Sequence, residues 1–466
     1  MEQHQYPRLK AWASILIGSF VMMFYAFHNG FPLMYPDSGA YIYMGMEFEM
    51  PWDRSLVYGW FVRHISLNET LWLPVFVQGW MVSLGVYQIL KHFTSLKNSY
   101  LPIYHLGILM GLTVLTSASA FTSFIMPDIF TPIAFICWIL LLFAPSLNVG
   151  ERIGLSLIFV LSHATHNSHL LIGLSLLLAV GFYYVVWGRK TQLIPLKRIL
   201  WGLGLMAAVW LSVPSLHYLA SDKFALSEAS TPFTLTHLLE IGVLEAYLDD
   251  TCRGDEPYKI CPYKDRIPPS LLWDLERSPA YLTGGWEANE EEYQTIIREI
   301  FTTPKYLKVY LYKSLSFGIR QFFTFDTGDA PVSKKGSSPY GNVEKYFNEE
   351  LREYSYALQQ GRNYSLRWDK LNNRIQVTMW VSFALLIVAL FHPKISGYIS
   401  PRTRGILLFL LLALLINAVI CSTFSQVVPR YQSRVAWLLP MLLMVPFLEW
   451  IGQKEKWREW WGVEKS

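Results

Sequence analysis

The sequence predicts an all-α polytopic membrane protein of about ten transmembrane helices, with one large extracytoplasmic region between spans seven and eight. Three observations predict it. The chain of 466 residues is 52% hydrophobic and only 16% charged, where a soluble domain carries about 25% charged residues. Apolar stretches of the length that crosses a bilayer, roughly 17–25 residues, recur along it. The basic residues between those stretches fall in alternate connections. The formal net charge of +4 says less than this distribution does. Mean hydropathy is +0.27, an average over apolar spans and one polar region.

The predicted spans are 11–34, 71–91, 101–120, 127–145, 154–164, 169–187, 198–218, 374–391, 405–421 and 433–451. The fifth is short and reads as either a tilted or a broken helix. The first lacks a small-residue cleavage site and is too long for a cleavable signal peptide. Arg8 and Lys10 precede span one, and Lys91 and Lys97 follow span two. Arg152 follows span four, and Arg189, Lys190, Lys197 and Arg198 join spans six and seven. Lys394, Arg402 and Arg404 join eight and nine, and Lys454, Lys456 and Arg458 follow ten. All fall on one side, which the positive-inside rule makes cytoplasmic, together with both termini. The chain then divides into a membrane module 1–218, with a first outer loop 35–69, an extracytoplasmic region 219–373, and a second membrane module 374–466. There is no internal repeat and no low-complexity tract.

Of four cysteines, Cys137 and Cys421 lie in apolar spans and read as packing residues. Cys252 and Cys261 lie in the outer region. Their spacing suits a zinc half-site or a disulfide; no second Cys or His pair flanks them, which favours the disulfide and an oxidising compartment.

Polar residues of unusual kind gather on the outer side. Asp37, in FPLMYPDSGAYIYMG, follows span one directly. Beyond it Trp52, Leu56, Val57, Trp60, Phe61 and Ile65 recur at helical spacing, which predicts an interfacial helix whose Asp53, Arg54 and Arg63 face water or a headgroup. Asp128, after Pro127, reads as a carboxylate at a helix N-terminus, or as a second acid facing Asp37. His163, His166 and His169 share one drifting helical face; they read as a polar turn between spans, or as functional imidazoles at membrane depth. With the two acids they offer a ligand set for a divalent ion (Asp37, Asp128, His166), which the sequence permits and does not require. Arg430 and Arg434 stand outside against the positive-inside bias, either as snorkelling side chains or as a fork for phosphate. Arg320, Asp326, Asp329, Lys334 and Lys335 add charge in a Gly- and Pro-containing loop. The stretch before it, PKYLKVYLYKSLSFGIRQFF, reads as an amphipathic helix on the membrane or a further inserted segment. Asn417 is the main polar residue deep in a late span. Sequons occur at Asn68 and Asn363, a triplet common by chance.

The first outer loop, YPDSGAYIYMG followed by DRSLVYGWF, resembles the pattern of the GT-C superfamily of integral-membrane glycosyltransferases, such as protein O-mannosyltransferases and aminoarabinose transferases. PRYQSRVAWLLPML resembles the Arg-Tyr step into a late span in several of those families. Asp37 matches the first-loop acid, and Asp128 matches the second-loop acid by position. The sequence departs from the pattern in lacking an Asp-Glu pair and a clear C-terminal soluble domain, and region 219–373 matches no characterised enzyme of that kind. The resemblance implies transfer of a sugar from a polyprenyl-phosphate-linked donor at the outer face of a bacterial inner membrane. Asp37 would be the base, supported by Asp128 and His166. Arg54, Tyr58, Arg320, Arg430 and Arg434 would bind substrate. Membrane lipid is an expected partner and nucleic acid is not; the oligomeric state is open. Two other classes stand beside this one, a transporter or flippase for a lipid-linked glycan and a membrane acyltransferase using the His cluster. A transporter places its polar groups near the midplane, and an acyl-CoA donor would sit on the cytoplasmic side.

Overall fold

The computed structural model describes residues 2–254, 257–327, 335–361 and 366–452. All regular secondary structure among those residues is helical, apart from a single isolated β-bridge between Leu33 and Phe124. Six of the helices are long and apolar enough to cross a bilayer: Trp72–Phe93, Asn167–Thr191, Leu196–Ser221, Trp368–Phe391, Pro401–Phe424 and Pro429–Glu449. The other four predicted spans correspond to helices that are shorter or interrupted. The first runs Glu2–Met22, breaks at Met23, resumes as Phe24–Asn29 and stops at Gly30, whose φ of 83° suits glycine. The third, Leu101–Leu115, is followed by the short helix Ala118–Ser123. The fifth is a regular helix, Val149–Ala164, starting earlier than expected because Asn148 and Glu151 cap one another's backbone N–H groups.

Helix Phe130–Phe143 is the axis of the bundle. All fourteen of its residues are buried, as expected for a helix that is apolar on every side. Glycines let neighbours approach it closely. A Cβ on Gly85 would meet Ile136 at 3.0 Å, and one on Gly202 would meet Trp138 at 2.8 Å. The N-terminal and C-terminal membrane segments share one continuous apolar core.

The first outer loop is itself folded. Helices Pro36–Glu47 and Val57–Ser66 cross at Gly45 and Gly59, where a Cβ on Gly45 would lie 2.2 Å from the Gly59 carbonyl oxygen. Region 219–373 has a small core of its own, built on Leu235, Leu238, Leu244, Leu248, Tyr293 and Ile296. The Cys252–Cys261 disulfide is present at its edge. Two parts of this region tie it to the bundle. The amphipathic helix Pro304–Phe322 packs along Pro401–Phe424, with Gly318 against Val419. Helix Ser338–Tyr346 lies on Pro36–Glu47, where Gly39 meets the Ser338 backbone. Glu350 then accepts the Leu71 N–H at 3.0 Å, and the Gln359 side chain engages both backbone groups of Met34.

Candidate functional site

Three arginines and three aspartates from four distant segments meet at the end of the bundle that carries the first outer loop. Asp37 enters from the first turn of helix Pro36–Glu47. Its chain direction is set by Ser38, whose Oγ accepts the Tyr35 N–H at 2.8 Å. The two carboxylate oxygens are divided between partners. Oδ1 lies 3.3 Å from Arg54 Nη1, and Oδ2 lies 3.3 Å from Arg430 Nη2. Arg54 is also held by Asp53, with Nη2 to Oδ2 at 2.5 Å, and lies over the Tyr41 ring. Arg430, in helix Pro429–Ala436, stacks 4.2 Å from the Tyr35 ring centre. One turn on, Arg434 shares its helical face. Its Nη1 is 3.1 Å from Asp128 Oδ1, and its Nη2 reaches Asn417 Oδ1 at 3.3 Å and Cys421 Sγ at 3.2 Å. Arg434 is 1% exposed.

Burial opposes ionisation of Asp37, but the Arg54 and Arg430 guanidiniums outweigh it and hold its carboxyl below the ordinary carboxylate range. Asp37 is therefore an anion near neutral pH, with part of its side chain open to solvent. The arginines retain unused capacity. Nε and Nη1 of Arg430 and Nε of Arg434 are buried without a hydrogen-bond partner among the described residues. Such donors are costly to leave unmet, and a guanidinium fork suits phosphate oxygens.

The three histidines divide into two kinds. His163 Nδ1 donates to the Phe159 carbonyl at 2.9 Å, leaving Nε2 to accept from Trp138 Nε1 at 3.3 Å. His169 Nδ1 donates to the Ser162 carbonyl at 2.8 Å, leaving Nε2 to accept from Thr131 at 2.6 Å. Both rings are used up inside the protein. His166 caps helix Asn167–Tyr183, its Nδ1 accepting the Ser168 N–H at 3.2 Å, so Nε2 carries the proton. It lies within electrostatic reach of Arg434, Asp128, Arg54 and Arg430.

Of the residues predicted from sequence, Asp37, Asp128, His166, Arg54, Arg430 and Arg434 come together. Arg54 and Asp53 do not face water: the interfacial helix begins only at Val57, and the stretch before it folds inward onto Asp37. Tyr58 is fully buried, donating its hydroxyl to Gln78 at 2.9 Å and packing edge-on to Tyr41, so it supports the site from behind. Arg320 is exposed on helix Pro304–Phe322 and shares no ion pair with the cluster among the described residues. Asp326 accepts from Gln376 at 3.0 Å, away from the cluster. Asp329, Lys334 and Asn363 lie outside the described residues. The metal set Asp37, Asp128 and His166 is not assembled: among the described residues no group of three or more His, Cys, Asp or Glu is placed to hold an ion. The physical reason is that each acid has taken an arginine partner. Sequence reasoning missed the aromatic platforms Tyr35, Tyr41 and Tyr431, and the role of Asn417 and Cys421 in holding Arg434. Their signal was the i, i+4 spacing of Asn417 and Cys421, repeated by Arg430 and Arg434.

The chain matches no protein-family model, no curated protein and no solved structure.

Proposed function

We propose that the chain is a ten-span membrane glycosyltransferase of the GT-C kind, transferring a sugar from a polyprenyl-phosphate-linked donor to an acceptor at the extracytoplasmic face, with both termini cytoplasmic. One observation carries the reading. An ionised carboxylate, Asp37, is partly open to solvent between two guanidiniums, and one of them, Arg430, holds two buried nitrogens without partners. A general base beside a phosphate fork is what displacement of a lipid phosphate from a sugar carbon needs.

In this reading the donor phosphate takes the free edge of Arg430 and draws it from Asp37. Losing that partner raises the proton affinity of Asp37, at the moment when it must accept a proton. The acceptor oxygen or nitrogen attacks the anomeric carbon, and its proton passes to Asp37. The bond from that carbon to the phosphate oxygen breaks with both electrons leaving on the lipid phosphate, whose charge Arg430 and Arg54 offset. Asp128 fixes Arg434, and through their shared helix Arg430. His166 supplies a donating Nε2 at the edge of the cluster.

The test is incubation of purified protein with a panel of polyprenyl-phosphate sugars while monitoring free lipid phosphate. Release that depends on acceptor and is lost in folded Asp37→Asn supports transfer. Movement of an intact lipid-linked glycan across vesicles, with no release, would replace this reading with the transporter.

A further inference from the structure

A second feature lies at the same end of the bundle, apart from the ion-pair cluster. A groove of about 480 Å³ opens between the end of the first span, the Met110–Val114 part of the third and the start of helix Trp368–Phe391. Phe20, Phe24, Met110 and Val114 line its apolar part, at 48%, 49%, 54% and 51% exposure. Its other edge is Arg367, at the N-cap of that helix, with Lys370 and Arg374 one turn apart on one helical face. No Asp or Glu lines it among the described residues. Tyr25 lies within electrostatic reach of Arg374 and stacks on Trp368, ring centres 5.9 Å apart, which sets the cationic edge against the apolar one. An aromatic row, Trp368 to Phe124 to Tyr35, continues from there to Arg430.

Helix stability does not account for the three cations. The first turns of a helix carry the positive end of its dipole, so cations there are disfavoured. Arg367 stands at the N-cap, Lys370 in the first turn and Arg374 in the second, and Asp369 is the sole acid in the first turn. The excess asks for an anion from outside the chain. The walls beneath are apolar and belong to helices read as facing bilayer hydrocarbon, so that anion should carry a hydrocarbon chain. Basic pockets between membrane helices take lipid headgroups for this reason.

We infer that this groove is a binding site for an anionic phospholipid, its phosphate held by Lys370 and Arg374 and one acyl chain laid along Phe20, Phe24, Met110 and Val114. The inference rests on the membrane reading alone and not on the transfer reaction.

The test is native mass spectrometry of the full chain titrated with phosphatidylglycerol or phosphatidylcholine. The expected result is one preferentially retained phosphatidylglycerol, with Lys370→Ala plus Arg374→Ala weakening its retention by about tenfold or more and leaving phosphatidylcholine unchanged. The single change Lys370→Gln, with a smaller loss, serves if the double variant does not fold. A photoactivatable phosphatidylglycerol should cross-link to peptides containing 20–28 and 110–114. Equal retention by the folded variants, or cross-links elsewhere only, would overturn the site. Displacement by an equimolar polyprenyl phosphate would instead assign the groove to the donor lipid, and displacement by inorganic phosphate would remove the role of the chain; each also overturns the inference.

Discussion

Asp37 and Arg430 touch, yet the proposed transfer reaction gives them separable jobs, and substitution should show it. Asp37→Asn keeps the shape and removes the base. Turnover should fall by about a hundredfold or more, while a donor-phosphate analogue binds as well or better, since Arg430 no longer divides its attention. Arg430→Ala removes a charge-assisted contact worth roughly 1.5–3 kcal/mol. It should weaken analogue binding and slow transfer together, because charge on the leaving phosphate grows in the transition state. Arg430→Lys should recover only part, lacking the fork. Analogue affinity and turnover measured on folded variants check all three. The pH dependence of stability follows with its sign. The folded Asp37 carboxyl is depressed, so its contribution is fully present above the unfolded value of about 3.9 and is lost as pH falls through the folded value below that. Between pH 5 and 8 the difference in unfolding free energy between wild type and Asp37→Asn should stay constant; a difference that changes across that window would sink the assignment. None of the pairings was legible from sequence. The residue types were, because arginines at helix ends that the positive-inside rule reads as outer, and an acid directly after an apolar span, stand out individually. Partners as far apart as Arg430 and Asp37 are joined only by the packing of whole helices.

At the scale of elements, long apolar runs and the amphipathic helices Val57–Ser66 and Pro304–Phe322 were legible, and helices opening on turn residues were not. Six predicted spans are matched by helices long enough to cross a bilayer, since hydrophobic length needs no tertiary help to declare itself, and the other four by shorter or interrupted helices. Helix Pro36–Glu47 was hidden by its opening Pro, Ser and Gly, which read as a loop. What makes it a helix is Pro36 in its first turn, and what fixes it is contact with Ser338–Tyr346 through Gly39. A Cβ there would lie 2.4 Å from the Ser338 carbonyl carbon, a backbone atom that cannot swing aside. Gly39→Ala should therefore cost about 1–3 kcal/mol, expose 335–361 to protease and reduce turnover. Gly107→Ala is the control: nothing lies within 4 Å of its added Cβ, and it should be neutral or stabilising by about 0.5–1 kcal/mol. Thermal unfolding in detergent with limited proteolysis separates the two. The Cys252–Cys261 bridge spans nine positions and should contribute roughly 2–3 kcal/mol on the chain-entropy account. Peptide mapping without reductant should find the two peptides joined, and reductant should lower the unfolding temperature of the outer region first.

The whole molecule is one bundle closed at one end by its own inserted region. Residues 335–361 rest on the first outer loop, and Trp52 of that loop accepts backbone N–H groups from Glu228 and Ala229. The site lies at this end, so its sidedness decides which substrates can reach it. On the proposed topology the end is extracytoplasmic: basic residues flank the opposite helix ends, while Arg54, Arg430 and Arg434 at this end are taken up by carboxylates. Charges so paired carry little of the orientation bias, so on that topology they do not count against the rule. The orientation can be read directly. Single cysteines at exposed Ser270 and Ser355, in the inserted region, should react with an impermeant thiol reagent applied to intact cells. A cysteine at exposed Thr191 should react only after the membrane is opened. The background is low, since Cys137 and Cys421 are buried and the other two cysteines are joined. Labelling of Thr191→Cys in intact cells, with Ser270→Cys and Ser355→Cys silent, would put Asp37 on the cytoplasmic side. A donor presented at the outer face would then never meet its base, and the transfer reaction would have to be sought among cytoplasmic substrates.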